Sequence, residues 1–446
     1  MNIQRWDSIG ITSIATINER IKKLMDKNPI SFSYKNKQHE FTGEFDTWKI
    51  VQGGTLTRLH VETPIKHGSL KLSENGDIYD LKGICPVLEI ELSLFSYTDN
   101  YQTLDFNINF NTTPKDGANV SIIDRMTSIV TINYPAEHHI SISAKTALRH
   151  LPDVFNFNKE KFQFILGQVK FALPFEYRSD KDGPPCVPQK IDYEYLSNRD
   201  SLAVFTSYNS AFQPKDTDYE IDTSIMDEES DTYFALSEVM ILKSVILPLL
   251  YKAFPNSGKS NVIYVPKTDF SGSIENSDNF KCTLNDENKT EVLFKQVSVH
   301  IENDKIVTHI EGEHNIPQYD KIVDFTLDYD STIGYNSHLD MLNLEVTEST
   351  IKSTYNVRDS ESVGKKILEA WLSPVYFITK TIRNHFKGEN LAKTFINLEQ
   401  NELTETFNDT VNMPFIIKQS GEIFQINKVK LEQALCIKGI RKVDVK

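Results

Sequence analysis

The sequence predicts an α+β protein dominated by strands, built as two modules in series, each a curved antiparallel sheet wrapped around a long helix. Three observations lead there. Stretches of alternating apolar and polar side chains recur along the whole chain, and alternation of this period puts one apolar and one wet face on each strand. Few helices separate these stretches, so antiparallel pairing is expected over a parallel α/β arrangement. One helical stretch is apolar on most of its sides, and a helix of that kind must be enclosed; one-faced sheets are the large apolar surface available to enclose it.

Taken in order, the first element is a short amphipathic helix. Ile14, Ile17, Ile21, Leu24 and Met25 fall on one face, with Ser13 placed to cap its start. Gly53-Gly54 mark a tight turn or bulge after a strand around Trp48. In Val87–Phe95, Leu88, Ile90, Leu92 and Leu94 oppose Glu89, Glu91 and Ser93. In Leu104–Phe110, Leu104, Phe106, Ile108 and Phe110 share a face. Val130, Ile132 and Tyr134 repeat the pattern.

A second helix is expected from about Leu236 to Phe254, and the turn-rich Phe254–Ser260 is the joint between modules 1–257 and 258–446. Further loops are expected at Asp180–Pro188 and over the acidic Asp216–Asp231. Strands resume at Val297/Val299/Ile301, at Val323/Phe325/Leu327/Tyr329 and at Leu342/Leu344/Val346. A third helix is expected over Val363–Phe386, bent at Pro374.

Bulk properties narrow the function. The 446 residues carry a net charge of −14. Phosphate recognition needs clustered Lys and Arg, so nucleic acid is excluded as the main partner, and overall electrostatic adhesion to anionic membranes is disfavoured; a local basic patch remains compatible with the composition. Cys85, Cys186, Cys282 and Cys436 stand far apart, outside metal-ligand or CxxC spacing, and read as buried free thiols. The N-terminus shows no basic region followed by an apolar run, and Val239–Leu250 is too short and too interrupted to cross a bilayer. Synthesis in the cytoplasm without a signal peptide is the expectation.

The succession Trp6-Asp7, then Ile17-Asn18, then Phe45-Asp46-Thr47-Trp48-Lys49-Ile50-Val51-Gln52-Gly53-Gly54, resembles a known family, as do Thr63-Pro64-Ile65-Lys66-His67-Gly68 and Asp80-Leu81-Lys82-Gly83. So does the later pattern of Phe162 to Pro174, Pro188, Tyr193, Leu202 to Phe205 and Val245–Pro248. It is the family of 47-kilodalton proteins found beside neurotoxin genes in clostridial OrfX-type clusters, and the likeness is carried mostly by the first half of the chain. The resemblance implies a tubular lipid-binding (TULIP) fold, hence two TULIP-like modules, and a non-toxic accessory role, with lipid, membrane surface or other toxin-cluster proteins as partners and release together with a toxin complex. It supplies no catalytic residue, and no cofactor is expected.

Motif-like leads fail on context. Ala253 to Ser260 fits a relaxed phosphate-loop pattern, but a helix precedes it and a strand follows, the reverse of what phosphate binding at a helix N-terminus requires. His309, Glu311, Glu313 and His314 gather metal-ligating side chains without a zinc-like spacing, and Glu137-His138-His139 reads as a polar turn. Glu89 and Glu91 are paired carboxylates on a wet face. No nucleophile-plus-base pattern is present, so the chain reads as non-catalytic. The feature with functional promise is the apolar interior: Ile14, Ile17 and Ile21 of the first helix facing Leu104, Phe106 and Ile108, either as a lipid-binding groove or as close-packed core.

Overall fold

The computed structural model describes residues 3–443 apart from several short stretches and the longer segments 107–126, 171–189, 208–229, 251–260 and 358–421. Four antiparallel sheets organise it. The central sheet has six strands in the order β12 (Lys190–Leu196), β13 (Ser201–Ser207), β1 (Ser8–Ser13), β14 (Thr232–Ser237), β24 (Ala434–Val443) and β23 (Glu422–Glu432). A second runs β11 (Ile165–Lys170), β9 (Tyr101–Phe106), β8 (Cys85–Thr98), β5 (Arg58–Glu62) and β4 (Lys49–Thr55), with β10 (Ser128–Asn133) also on β8. A third runs β2 (Ser31–Lys35), β3 (His39–Phe45), β6 (Ile65–Leu72) and β7 (Ile78–Asp80). The fourth runs β15 (Val262–Pro266), β16 (Gly272–Asn276), β18 (Glu291–Glu302), β19 (Lys305–Ile316), β20 (Lys321–Asn336) and β21 (Met341–Val346), with β17 (Phe280–Thr283) on β18 and β22 (Lys352–Val357) on β20.

The central sheet joins strands from both sides of residue 257, because the C-terminal hairpin β23–β24 pairs with β14. Each of its two middle strands runs straight into a helix. β1 leads into α1 (Ile14–Lys27), where the Ser13 hydroxyl accepts the N–H of Thr16. β14 leads into α4 (Glu238–Ile241, continued by a π-turn over Leu242–Ile246), where Ser237 accepts the N–H of Met240 in the same way. A Ser at this position satisfies a donor that the first helical turn leaves open. The second long helix therefore starts at Glu238 and not at Leu236. Leu236 is paired with Ser8 on one side and Leu435 on the other, and those ladder hydrogen bonds override its helical spacing. Residues 251–254 of that helix, the helix expected over 363–386 and its bend at Pro374, and the loops at 180–188, 216–229 and 254–260 lie outside the described residues.

The two faces of the central sheet serve different cores. On one face β13 sends Leu202 and Val204 into a first core that also holds Ile14, Ile17 and Ile21. The same face of β14 and β24 sends Phe234, Leu236, Leu435 and Ile437 into a second core with Phe294, Val297 and Leu327. Between them β1 presents only Ser8, Gly10 and Thr12, all buried, so small and polar side chains separate the cores. The reverse face carries Ile9, Ile11, Phe205, Tyr233 and Ala235 in a third cluster, with Trp6 lying 5.1 Å from Phe205.

Bulges set which side chains reach the core. On β18, Val292 and Phe294 are buried, then Val297 and Val299, because the register slips between Phe294 and Gln296. On β10 the expected row Val130, Ile132 and Tyr134 is broken. A bulge between Ile129 and Thr131 turns Ile129 and Ile132 toward the first core, and Val130 and Tyr134 face solvent. One extra residue reverses the sides of everything beyond it. Gly53-Gly54 form a further bulge: the β4–β5 register slips between Val51 and Thr55, and Gly53 sits at φ +117°.

Candidate functional site

The candidate site is the apolar side of α1 and what it faces. Its sequence alternates by the helical period, so Ile14, Ile17, Ile21 and Met25 turn inward while Glu19 and Lys23 pair across the outer face at 2.9 Å. Ile14, Ile17 and Ile21 retain at most 1% of their surface. The helix is fixed to β4 by Asn18, whose amide donates to the Ile50 carbonyl and accepts the Ile50 N–H, both at 2.8 Å. Two turns further along α1, the Trp48 N–H reaches the Met25 sulfur at 3.2 Å.

Beyond Met25 the core becomes aromatic. Phe45, Trp48, Phe155 and Phe162 are all buried, with ring centroids 5.1–6.1 Å apart. Trp48 is thus a core residue. One of these rings, Phe155, comes from an element that the strand-centred reading of the sequence misses. A helical ribbon runs through α2 (Ile142–Ala147), a 3-10 turn (Leu148–His150) and α3 (Leu151–Phe157). Its signals were available: Ser141 as cap, Pro152 in the first turn of α3, and Ala144, Ala147, Leu151 and Val154 at helical spacing.

Of the six groove residues expected from sequence, Ile14, Ile17 and Ile21 meet in this core. Leu104 and Phe106 lie on β9, where the backbone alone is described, and Ile108 lies outside the described residues. Other residues of the same core include Ile50, Leu59, Val61, Leu88 and Ile90.

The polar leads resolve into strand-face networks. Glu89 accepts Arg58 Nη1 at 2.8 Å and lies 3.5 Å from His60 Nε2, while Glu91 sits 3.7 Å from Arg58 Nε. Both carboxylates are held by Arg58 on the neighbouring strand. His309, Glu311 and Glu313 do share one face of β19, but His309 meets Asp328 of β20 at 2.6 Å, and Glu313 shares Lys295 with Asp324, each at 2.7 Å. Among the described residues no group of three or more His, Cys, Asp or Glu side chains could hold a metal ion. Glu137-His138-His139 and the Ala253–Ser260 segment lie outside the described residues.

The environment disfavours the thiolate at Cys85 and Cys282, and Cys85 is partly exposed where the sequence reading expects burial. Cys85, Cys282 and Cys436 are free, and the last two are buried. Burial pushes the Cys282 thiol up to about 11, and burial with the nearby Glu62 charge does the same at Cys85. Cys186 lies outside the described residues. Among the described residues no helix is long and apolar enough to cross a membrane.

With this geometry in place, comparison with known proteins is informative. The family model described as "OrfX-like: Protein OrfX2/OrfX3/P47" matches residues 3–383. The chain is 23% identical over 454 residues to "Protein P47" of Clostridium botulinum (strain Kyoto / Type A2), covering 98% of this chain and 99% of that one. Among solved structures it is similar to P47 from Clostridium botulinum A2, with a TM-score of 0.66 at 20% identity over 99% of this chain and 98% of that one. P47 of Clostridium botulinum E1 gives a TM-score of 0.64 at 18% identity, covering 98% of both chains. Likeness at such low identity establishes a shared fold.

Proposed function

The chain belongs to the OrfX-like family, and from that premise we propose that it is a non-catalytic accessory protein of a toxin gene cluster, acting by binding lipid in an apolar groove along α1. The observation that carries this reading is the enclosure of α1 in the first module. Its apolar side is walled in by sheets while Glu19 and Lys23 stay in water. An acyl chain laid beside Ile14, Ile17 and Ile21, with Leu104, Phe106 and Ile108 opposite, would be stabilised by about 0.8 kcal/mol for each CH₂ removed from water. Asn18 clamps the helix to Ile50 through two hydrogen bonds, beside the apolar row of Ile14, Ile17 and Ile21.

Gentle purification followed by native mass spectrometry and lipid extraction tests it. A co-purifying acyl lipid, or uptake of a fluorescent fatty acid that Ile17→Asp abolishes, is the expected result. A lipid-free protein that takes up no fatty acid removes the lipid half.

A second reading is favoured by the aromatic cluster of Phe45, Trp48, Phe155 and Phe162, whose contacts are those of a filled core. On it the protein assembles with other toxin-cluster proteins through its surface and carries no lipid. Pull-down of the neighbouring gene products in lipid-free buffer separates the two readings.

A further inference from the structure

The ribbon of α2, its 3-10 turn and α3 lies with one side on the first core, burying Ala144, Ala147, Leu151 and Val154. Its outer stripe steps at the same three-to-four spacing through Ile142, Lys145, Arg149, Asp153 and Phe157. The two ends of that stripe are large apolar side chains in water: Ile142 is 85% exposed and Phe157 69%.

Single exposed apolar residues are ordinary on a protein surface, so what surrounds these two is decisive. The segment from Ile142 to Lys161 carries Lys145, Arg149, Lys159 and Lys161 against Asp153 and Glu160, in a chain of net charge −14. Asp153 is already engaged by His150 Nδ1 at 3.0 Å. Phe157 stands edge-on to Tyr34, 5.9 Å away on β2; that strand ends at Lys35, which pairs with Glu40 at 3.0 Å, and leads on to the exposed Lys37. The ribbon is firmly seated: the Asn158 side chain pairs with both backbone groups of Ser33, and Lys161 donates to the Ser31 carbonyl at 3.0 Å. The stripe is therefore held in a fixed orientation.

We propose that this ribbon is a docking face for an anionic lipid bilayer, with Ile142 and Phe157 entering the interface and Lys145 and Arg149 between them meeting lipid phosphates. The sign of the charge is the argument for the occupant. A basic stripe on an acidic chain complements an anionic surface and repels a second copy of the chain. A protein partner would need an apolar centre with a polar rim, whereas here the charges occupy the centre and the apolar groups the ends. That order suits a headgroup layer, in which an amphipathic helix lies flat with apolar side chains below and cations at phosphate level. The surface is separate from the interior along α1, so docking stands whether or not an acyl chain is bound there.

The test is vesicle flotation of the full chain, with phosphatidylcholine alone and with about three-tenths phosphatidylserine added. The protein is expected to float with the anionic vesicles only, and to release as salt rises. The double substitution Lys145→Glu/Arg149→Glu should weaken binding at least roughly tenfold, and Ile142→Ser/Phe157→Ser severalfold. Ile263→Ser, at an exposed site on the fourth sheet, should leave binding unchanged and serves as the control. All five positions are exposed, and an unaltered melting temperature confirms folding in each variant. Equal binding to both vesicle types, binding to neither, or ribbon variants that bind like the unaltered protein would each overturn the proposal. Lipid extracted from the interior in a protein that does not float would separate this failure from the acyl-groove reading.

Discussion

The backbone N–H of Ser237 donates to the carbonyl of Asp7 at 2.9 Å, and the N–H of Ser13 donates to the carbonyl of Asp231 at the same distance. Each Asp immediately precedes a six-residue strand, and each Ser ends that strand and caps the helix beyond it. β1 and β14 are antiparallel, with Gly10 opposite Phe234 at the middle. The two helices therefore leave the central sheet in opposite directions, α1 into the first core and α4 into the second. Both cores are fastened to the same pair of strands.

That arrangement makes the two serines equivalent in energy. Replacing either by Ala removes a cap bond worth about 1 kcal/mol. We expect Ser13→Ala and Ser237→Ala each to lower the urea midpoint by a similar amount, and the double variant to lower it by nearly the sum. Ser237→Ala matching the unaltered protein would show that the π-turn following α4 satisfies its own first donors.

The Asn18 clamp should cost more. Asn18→Ala leaves both the N–H and the C=O of Ile50 without the partner they have now. Two hydrogen bonds in a partly buried position amount to a loss of about 2 kcal/mol, with the unmet backbone groups dominating. Asn18→Asp should fall between, since the carboxylate still accepts from Ile50 N–H but offers nothing to its carbonyl. Amide exchange at Ile50 is the direct readout, and it should rise in both variants.

How far the sequence was readable follows from which forces act locally. The α1 stripe of Ile14, Ile17 and Ile21 and its Ser13 cap were legible because helical period and capping are properties of neighbouring residues. The helical spacing of Leu236 misleads because its membership of β14 depends on pairing with Ser8 and Leu435, far away in the chain. The exposure of Val130 depends on a bulge against β8 that no spacing announces. At the candidate site, the α1 half of the groove was visible, while the α3 contribution of Phe155 was not: its ribbon is broken by a 3-10 turn and begins with β-prone residues, which blurs the helical period. The basic stripe is not legible in the net charge of −14, which averages over surfaces that the fold keeps apart.

At the Gly53-Gly54 bulge, space is the constraint at one residue and backbone conformation at the other. A Cβ on Gly54 would come 2.4 Å from the Arg58 carbonyl oxygen, and backbone cannot move aside cheaply. Gly53 lies at φ +117°, where any side chain is strained, and its Cβ would meet the His60 ring at 2.5 Å. Gly54→Ala and Gly53→Ala are each expected to lose about 1–3 kcal/mol. Gly76, at φ +76° with open space around it, should lose less on the same change. Chemical denaturation of the three variants orders them.

A pH dependence is expected from Glu194 on β12. Burial, with Asp192 two residues away, pushes its carboxyl up to about 7, and its Oε2 has no hydrogen-bond partner among the described residues. The unfolded chain ionises this group near its ordinary value of 4.5. Between 4.5 and about 7 the folded protein therefore binds a proton that the unfolded chain releases, and stability from this group falls as pH rises through that window. Its contribution is complete below 4.5 and gone above about 7. Glu194→Gln keeps the shape without the charge, so it should be more stable than the unaltered protein at pH values above the window and show a flatter stability profile within it. Asp192→Asn should bring the Glu194 transition to lower pH without abolishing it, since burial is the larger cause. Urea midpoints collected across the window decide the matter, and a Gln variant whose profile parallels the unaltered protein would assign the pH dependence to other groups.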